Sequence, residues 1–450
     1  MEILIKIVQF LLSLSLLIVL HEFGHYIAAR LFKTRVEKFY LFFDAWGKKL
    51  FSFKKGDTEY GMGWLPLGGY VKISGMIDES MDKEQMKLPP KPYEFRSKPA
   101  WQRLIIMLGG VIVNFILGIL IYTMIVYVWG EQMVKPEGVK LGFEVSETFK
   151  AYGFQDGDKI MKINGEVPSN VLDVNKTLFL RTVNTIGVKH ENGVEETIDL
   201  PEDVGKIMWE KGILFPFRER AYAVIDTVIA GSPAERAGIK SGDKVVKANG
   251  QPVTYWSDFT KHIDSTSVNL VLERSGVDSP TTLVTIDVTP EKLQKDAKKH
   301  QLGVHNYGLA DLDVETYNYS FFESVKRGHH LGLEKLKDFV LQFKYVFTKK
   351  GASELGGFIA IGKIFPSKWN WQSFWSITAF LSIMLGFMNL LPIPALDGGH
   401  ALFVLVEMVT GRKPSDKFLE YAQIVGFVIL MALILFANGN DIYKLIKGFL

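Results

Sequence analysis

The sequence predicts a polytopic α-helical membrane protein with two small α+β domains inserted between spans, and three observations carry that class. Hydrophobic residues make up 48% of the 450 while 22% are charged, a balance that suits apolar blocks spliced to polar domains. Four of those blocks approach the roughly 20 residues a helix needs to cross a bilayer at about 1.5 Å per residue. Between the second and third blocks, a thirteen-residue pattern occurs twice.

The first block, 3–20, continues past two histidines through Tyr26, Ile27 and Ala28. Its basic end holds only Lys6 and no A-x-A-like site follows, so it reads as a retained span and not a cleaved leader. The second, 104–129, has no charged residue. The third runs from 371 to about 391, and the fourth from about 424 to 436, extended upstream by Tyr421. Orientation follows from lysine and arginine. Lys33, Arg35, Lys38, Lys48, Lys49, Lys54 and Lys55 lie between the first two spans, and Arg412, Lys413 and Lys417 precede the fourth. Both stretches belong in the cytoplasm. The segment from 130 to about 370 then lies outside, as do both termini. A net charge of +3 gives no argument for nucleic acid, and the absence of cysteine removes disulfides, thiol nucleophiles and cysteine-ligated metals.

In the external segment, "GFQDGDKIMKING" (153–165) returns as "GIKSGDKVVKANG" (238–250), seven of thirteen positions matching at an offset of 85 residues. Each copy reads as a Gly-Asp turn, a strand of alternating apolar residues and an Asn-Gly hairpin turn. "SPAERAG" before the second copy supplies a capped short helix with proline at its start. These residues resemble PDZ domains of the bacterial protease type, which bind extended peptides by strand addition. The expected boundaries are 131–220 and 221–312, with an amphipathic helix and linker over 313–370. Membrane domains cover 1–130 and 371–450. Over 319–347 one helical face gathers Leu336, Phe339, Val340, Phe343 and Phe347, which would lay that helix on the outer membrane surface. His329 and His330 before this stripe read as a solvated or interfacial pair.

The chemistry sits where the first span ends. His21-Glu22-Phe23-Gly24-His25 is H-E-x-x-H. On a helix, positions i and i+4 share a face, so both imidazoles can meet one metal with the glutamate beside it. Ionisable groups inside a span are costly and usually functional. Two histidines leave a catalytic zinc one protein ligand short. In "NLLPIPALDGGH" (389–400), Pro392 and Pro394 break the helix and free backbone groups, and an aspartate there, Asp397, on the same side as His21, could complete a His, His, Asp site. Asp397 is one candidate third ligand; His400 is the other.

Taken together, these motifs resemble the site-2 protease family of intramembrane zinc metalloproteases, in its bacterial branch with tandem PDZ domains. The likeness spans almost the whole chain. It rests on His21, Glu22 and His25, on the two repeats, and on Asn389, Pro392, Leu396, Asp397 and Gly398 in the family's N-x-x-P-x-x-x-L-D-G pattern. The resemblance implies Zn2+ bound by His21, His25 and Asp397. It makes Glu22 the catalytic base and puts Asn389 at the substrate or its oxyanion. Gly110-x-x-x-Asn114 resembles the family's G-x-x-x-N, whose Asn steadies the site. "PLGGYVKISG" (66–75) resembles its cytoplasmic-side, membrane-associated β-hairpin, which would place Gly68, Gly69, Tyr70, Val71 and Lys72 against substrate along with Asn114 and Asn389. The implied activity is hydrolysis within single-pass transmembrane substrates of the anti-sigma-factor or remnant-signal-peptide type. The PDZ pair would act as a size filter, and membrane lipid would be the other partner. The implied location is the bacterial inner membrane, with the active site toward the cytoplasm and the PDZ pair periplasmic. "LGGF" (355–358) departs from the family's L-S-G-P. The rivals are a zinc-dependent PDZ scaffold without turnover and a transporter using His and Asp as an ion relay; the latter wants polar residues in several spans, whereas the second offers mainly Asn114 and Thr123.

Overall fold

A computed structural model describes residues 1–66, 68–76, 89–276, 279–293, 300–306 and 311–449. Leu67, within the anticipated hairpin, lies outside the described residues. The chain divides into two units, Met1–Gly130 with Asn318–Tyr443, and Glu131–Tyr317 with the last few residues.

The long helices described in the first unit are α1 (Glu2–Leu31), α2 (Ala100–Trp129), α3 (Phe321–Val346), α4 (Trp371–Leu390), α5 (Asp397–Thr410) and most of α6 (Asp416–Phe449). By length and composition α1, α2, α4 and α6 can each cross a membrane. The first three of these meet through glycine: a Cβ at Gly24 of α1 would run into the Gly109 carbonyl of α2, and one at Gly118 would meet Ile383 of α4 at 2.6 Å. Small residues at such crossings let backbones approach where lipid gives helices no hydrophobic drive to associate.

Helix α3 departs from the surface placement expected of it. It runs antiparallel along α2, with Phe321 against Tyr127, Gly328 against Thr123 and Gly332 against Ile119. Part of its stripe packs on the spans, Phe339 on Phe380 and Phe387 of α4 and Phe343 on Phe387, while Val340 and Phe347 stay exposed. Helix α6 is also longer than expected, because Asn438 and Asp441 do not end it. They face the "LGGF" stretch instead. Asp441 Oδ2 accepts from the backbone N–H of Gly357 (2.9 Å) and Ala360 (3.0 Å), and Asn438 Oδ1 from that of Phe358 (3.2 Å). These bonds cap the short helix Phe358–Ile364 from a neighbouring element.

The stretch anticipated as a hairpin is an edge strand. Strands β1 (Val36–Leu41), β2 (Lys49–Lys55), β3 (Thr58–Gly63) and β4 (Tyr70–Ile73) form one sheet in the order β2-β3-β1-β4. The hairpin lies earlier, between β2 and β3, while β4 pairs antiparallel with β1 and, among the described residues, has no strand on its other side.

The second unit has two cores, one built around Phe143, Phe149, Phe154 and Phe217, the other around Ile225, Val245, Phe259 and Leu270. The sequence repeat is a repeat of bonds. Asn164-Gly165 and Asn249-Gly250 both turn with positive φ, and each Asn Oδ1 accepts from a backbone N–H twenty residues on, Asn184 and Asn269. Each Gly-Asp supplies a buried aspartate that accepts from the N–H three residues back, Gln155 to Asp158 and Lys240 to Asp243. The copies differ in the cation opposite. Asp243 is paired by Arg274 (2.6 Å) and Asp158 by His190 (2.6 Å), which also meets Glu196 at 3.0 Å. Hydrogen bonds to Glu196 and Asp158 raise the His190 pKa above its ordinary value, against the opposing effect of burial.

A histidine whose folded pKa exceeds its unfolded one stabilises fully below the unfolded value, near 6.5, and loses that contribution as pH rises through the folded value. The first repeat is therefore expected to loosen with rising pH while the second, held by arginine, does not. Hydrogen exchange of the full chain, corrected for intrinsic rates, should show protection falling in Thr185–Lys189 but not in Val268–Gly276. His190→Gln should abolish the difference.

Candidate metal centre

Three elements converge on one point. Helix α1 contributes His21 and His25 from one face. Helix α5 contributes Asp397 from its first turn, after a link, 391–396, in which Pro392 and Pro394 lack N–H donors and Ala395 sits at φ 79°. A non-glycine residue in that region is strained and persists only where packing holds it. Asp397 Oδ2 lies 3.2 Å from His21 Nε2 and 3.3 Å from His25 Nε2, and the two Nε2 atoms are 3.3 Å apart. All three groups are largely out of solvent, and Oδ2 has no ordinary hydrogen-bond partner.

This triangle fits zinc. Ligands at about 2.0–2.1 Å from a tetrahedral ion are separated by roughly 3.3 Å, the spacing seen here. Charged hydrogen bonds between imidazolium and carboxylate would close to about 2.7–2.9 Å. Among the described residues, these three form the group with metal-ligand spacing; His400, the rival, lines the adjoining cavity outside that group.

The imidazoles are oriented from behind. His25 Nδ1 donates to the Ile106 carbonyl at 2.8 Å, which leaves its Nε2 lone pair for a metal. Asn114 of α2, fully buried, is 2.9 Å from His21 Nδ1 through its amide nitrogen while its Oδ1 is unpaired. In the metal-binding tautomer Nδ1 carries the proton, so the amide turns over and Oδ1 accepts it. Asn114 thus supports His21 and does not line the cavity, contrary to its expected place among substrate contacts. Gly110 makes the room: a Cβ there would stand 2.5 Å from His25 Nε2 and 2.6 Å from His21 Cε1.

A cavity of about 420 Å³ opens on the triangle, lined by Glu22, Gly69, Tyr70, Val71 and Lys72 among others. Gly68 lies off it, beside the Phe43 ring. Glu22 is half-buried and faces the Val71 backbone N–H. Gly69 passes so close to α1 that a Cβ would meet Ile18 at 2.6 Å and Glu22 Cγ at 3.3 Å. Asn389 Nδ2 is 3.5 Å from His21 Nε2, on the metal side of the ring. Sequence reasoning missed a second cluster on the cavity wall. Asp44 accepts from Lys38 (3.0 Å) and Tyr70 (2.9 Å), and Tyr70 is stacked between Tyr40 and Phe43. Burial pushes the Asp44 carboxyl up, but the bonds from Lys38 and Tyr70 outweigh it and the net shift is down. Burial first, and then the Asp44 carboxylate, pushes the Tyr70 phenol far up. Nothing in the spacing of Lys38, Asp44 and Tyr70 announces this cluster; it exists because β1 and β4 pair.

Peptidase family M50 matches residues 9–433. The chain belongs to this family, the site-2 proteases. Among its relatives, the regulator of sigma E protease of Haemophilus influenzae is 28% identical, over 97% of this chain and 98% of its own. Protease RseP of Yersinia pestis is 29% identical over 99% and 100%. A Neisseria meningitidis protein classed by its name among zinc metalloproteases is 30% identical over 98% and 99%. This site-2 protease is accordingly a zinc-dependent metalloendopeptidase, and its four apolar helices are those of a membrane enzyme.

Gly110→Ala should fold, since alanine suits a helix, yet crowd both imidazoles. Metal analysis of the purified protein is expected to show zinc retention at least about tenfold below wild type, in the range that disturbed ligand support produces.

Proposed function

We propose that this site-2 protease hydrolyses a peptide bond within the membrane-spanning segment of single-pass substrates, with zinc held by His21, His25 and Asp397. The observation that carries the assignment is the meeting of one carboxylate oxygen with two imidazole nitrogens, 372 or more positions away in sequence, at zinc-ligand spacing beside the apolar helices α1 and α2.

When bound, zinc polarises the scissile carbonyl and makes water acidic near neutral pH. The protein's residues do the rest. The Glu22 carboxylate takes one proton from the attacking water and returns it to the leaving amide nitrogen. Asn389 Nδ2, close to His21 Nε2, donates to the oxygen that gains negative charge. A substrate helix hides its peptide groups in its own hydrogen bonds, so the segment must unwind first. The open side of β4 can take it as an added strand, leading it past Gly69, Tyr70, Val71 and Lys72.

We read 131–220 and 221–312 as PDZ-like domains. Their buried Gly-Asp aspartates and paired Asn-Gly turns support one fold used twice. In this reading they stand on the periplasmic side of the inner membrane and bar substrates with bulky external domains, while the lysine-rich sheet and the active site face the cytoplasm. The sigma E of the Haemophilus influenzae relative's name suggests an anti-sigma factor as substrate, with remnant signal peptides as a second class.

Purified wild type and Glu22→Gln, reconstituted with a transmembrane substrate, provide the test. Wild type should cleave in a chelator-sensitive manner. Glu22→Gln should lose about 10²- to 10⁴-fold in rate, as loss of a general base does, while keeping its zinc. Undiminished cleavage by Glu22→Gln would remove the mechanism, and zinc-dependent peptide binding without any cleavage would favour a scaffold.

A further inference from the structure

We infer that the ion pair between Arg103 of α2 and Glu407 of α5 is a positioning device for the metal centre, setting how far the two helices slide along each other and so whether Asp397 reaches the imidazoles. The inference rests on the reading of Asp397 as a zinc ligand.

Asp397, His400, Val404 and Glu407 recur at three- and four-residue steps and so share one face of α5. On α2 the matching stripe is Arg103, Ile106, Met107 and Gly110, all buried. The helices are antiparallel here: Arg103 meets Glu407 at one end of the seam, and Gly110 meets the histidines that contact Asp397 at the other. At about 1.5 Å per residue the ends are roughly 10 Å apart along α2 and 15 Å along α5. The Arg103 guanidinium is aimed from its own chain, Nε donating to the Lys98 carbonyl at 3.0 Å. Arg103 is 7% exposed and the Glu407 side chain 17%, so the pair works in a medium where an unpartnered charge is not tolerated. One turn from Arg103, Ile106 supplies the carbonyl that orients His25. The pair therefore braces both the strut behind one imidazole and the helix that delivers the carboxylate.

Precision makes such a brace necessary. Packed helices shift by about 1–2 Å when they re-register, whereas metal–ligand distances tolerate about 0.2 Å. The Asp397 end of α5 follows a proline-broken link with Ala395 at φ 79°.

The test compares the full-length protein with Glu407→Gln, Arg103→Lys and the charge swap Arg103→Glu/Glu407→Arg, purified in detergent and checked for folding by circular dichroism and gel filtration. Zinc affinity is read by chelator competition and ligand geometry by the visible spectrum of the cobalt-substituted protein. Each single variant is expected to bind zinc about 10- to 100-fold more weakly, the effect of losing outer support, with a shifted cobalt band. The swap should recover at least part of both. A folded single variant with parental affinity and cobalt spectrum overturns the inference, as does a folded swap no better than the singles. Asp397→Asn is the control for the underlying assignment. If it leaves zinc affinity unchanged, the ligand reading fails; if it weakens zinc while Glu407→Gln does not, only the positioning role fails.

Discussion

The site depends on α1 and α2 touching backbone to backbone. With no Cβ at Gly24, Gly109 or Gly110, the helices close until the His21 and His25 rings lie against the α2 main chain. That closeness lets a backbone carbonyl, Ile106 O, and a buried amide, Asn114, orient the rings directly. In lipid this matters more than in water, because helices gain little by burying apolar surface against each other. Polar support for a charged site has to come from contact at this range.

The same closeness explains why the proposed third ligand comes from so far along the chain. The H-E-x-x-H face already has α2 packed behind it, so the remaining ligand has to approach from the open side. A link broken by Pro392 and Pro394 allows a new helix, α5, to begin there with a carboxylate in its first turn. Glu22 and β4 occupy the rest of that side, close enough for Gly69 to graze α1. The cavity is what remains between the metal position and the β4 strand.

What could be read from the sequence follows from what is local. H-E-x-x-H is a four-residue spacing on one helix, so its geometry is fixed before any tertiary contact forms. The repeat could be read for the same reason: a turn that needs positive φ at two successive positions selects Asn-Gly whatever surrounds it. Hidden were the features in which distant segments complete each other. The β4 stretch has the alternation of a strand but carries no sign of its partner, and it pairs with β1 instead of folding into a hairpin. Helix α3 has the amphipathic stripe of a surface helix, yet Gly328 and Gly332, unremarked in the pattern, let it lie along α2. Asp441 and Asn438 resemble a helix end because their partners, the N–H groups of 357–360, are some eighty residues away.

Without a cation, the ligand triangle would be the least favourable part of this arrangement. Two imidazole lone pairs and a carboxylate oxygen face one another within 3.3 Å, away from water. Either a proton or a metal has to occupy the gap, since unpaired charges at such depth are expensive. A proton can satisfy one edge of the triangle at a time; a divalent ion satisfies all three. With His21, His25 and Asp397 as the proposed ligands, metal binding is also a packing interaction that ties α1 to α5, beside the α2–α5 seam that Arg103 and Glu407 tie at its far end. Polar links of this kind set spacing and register between the helices they join, which hydrophobic contact, being non-directional, leaves free.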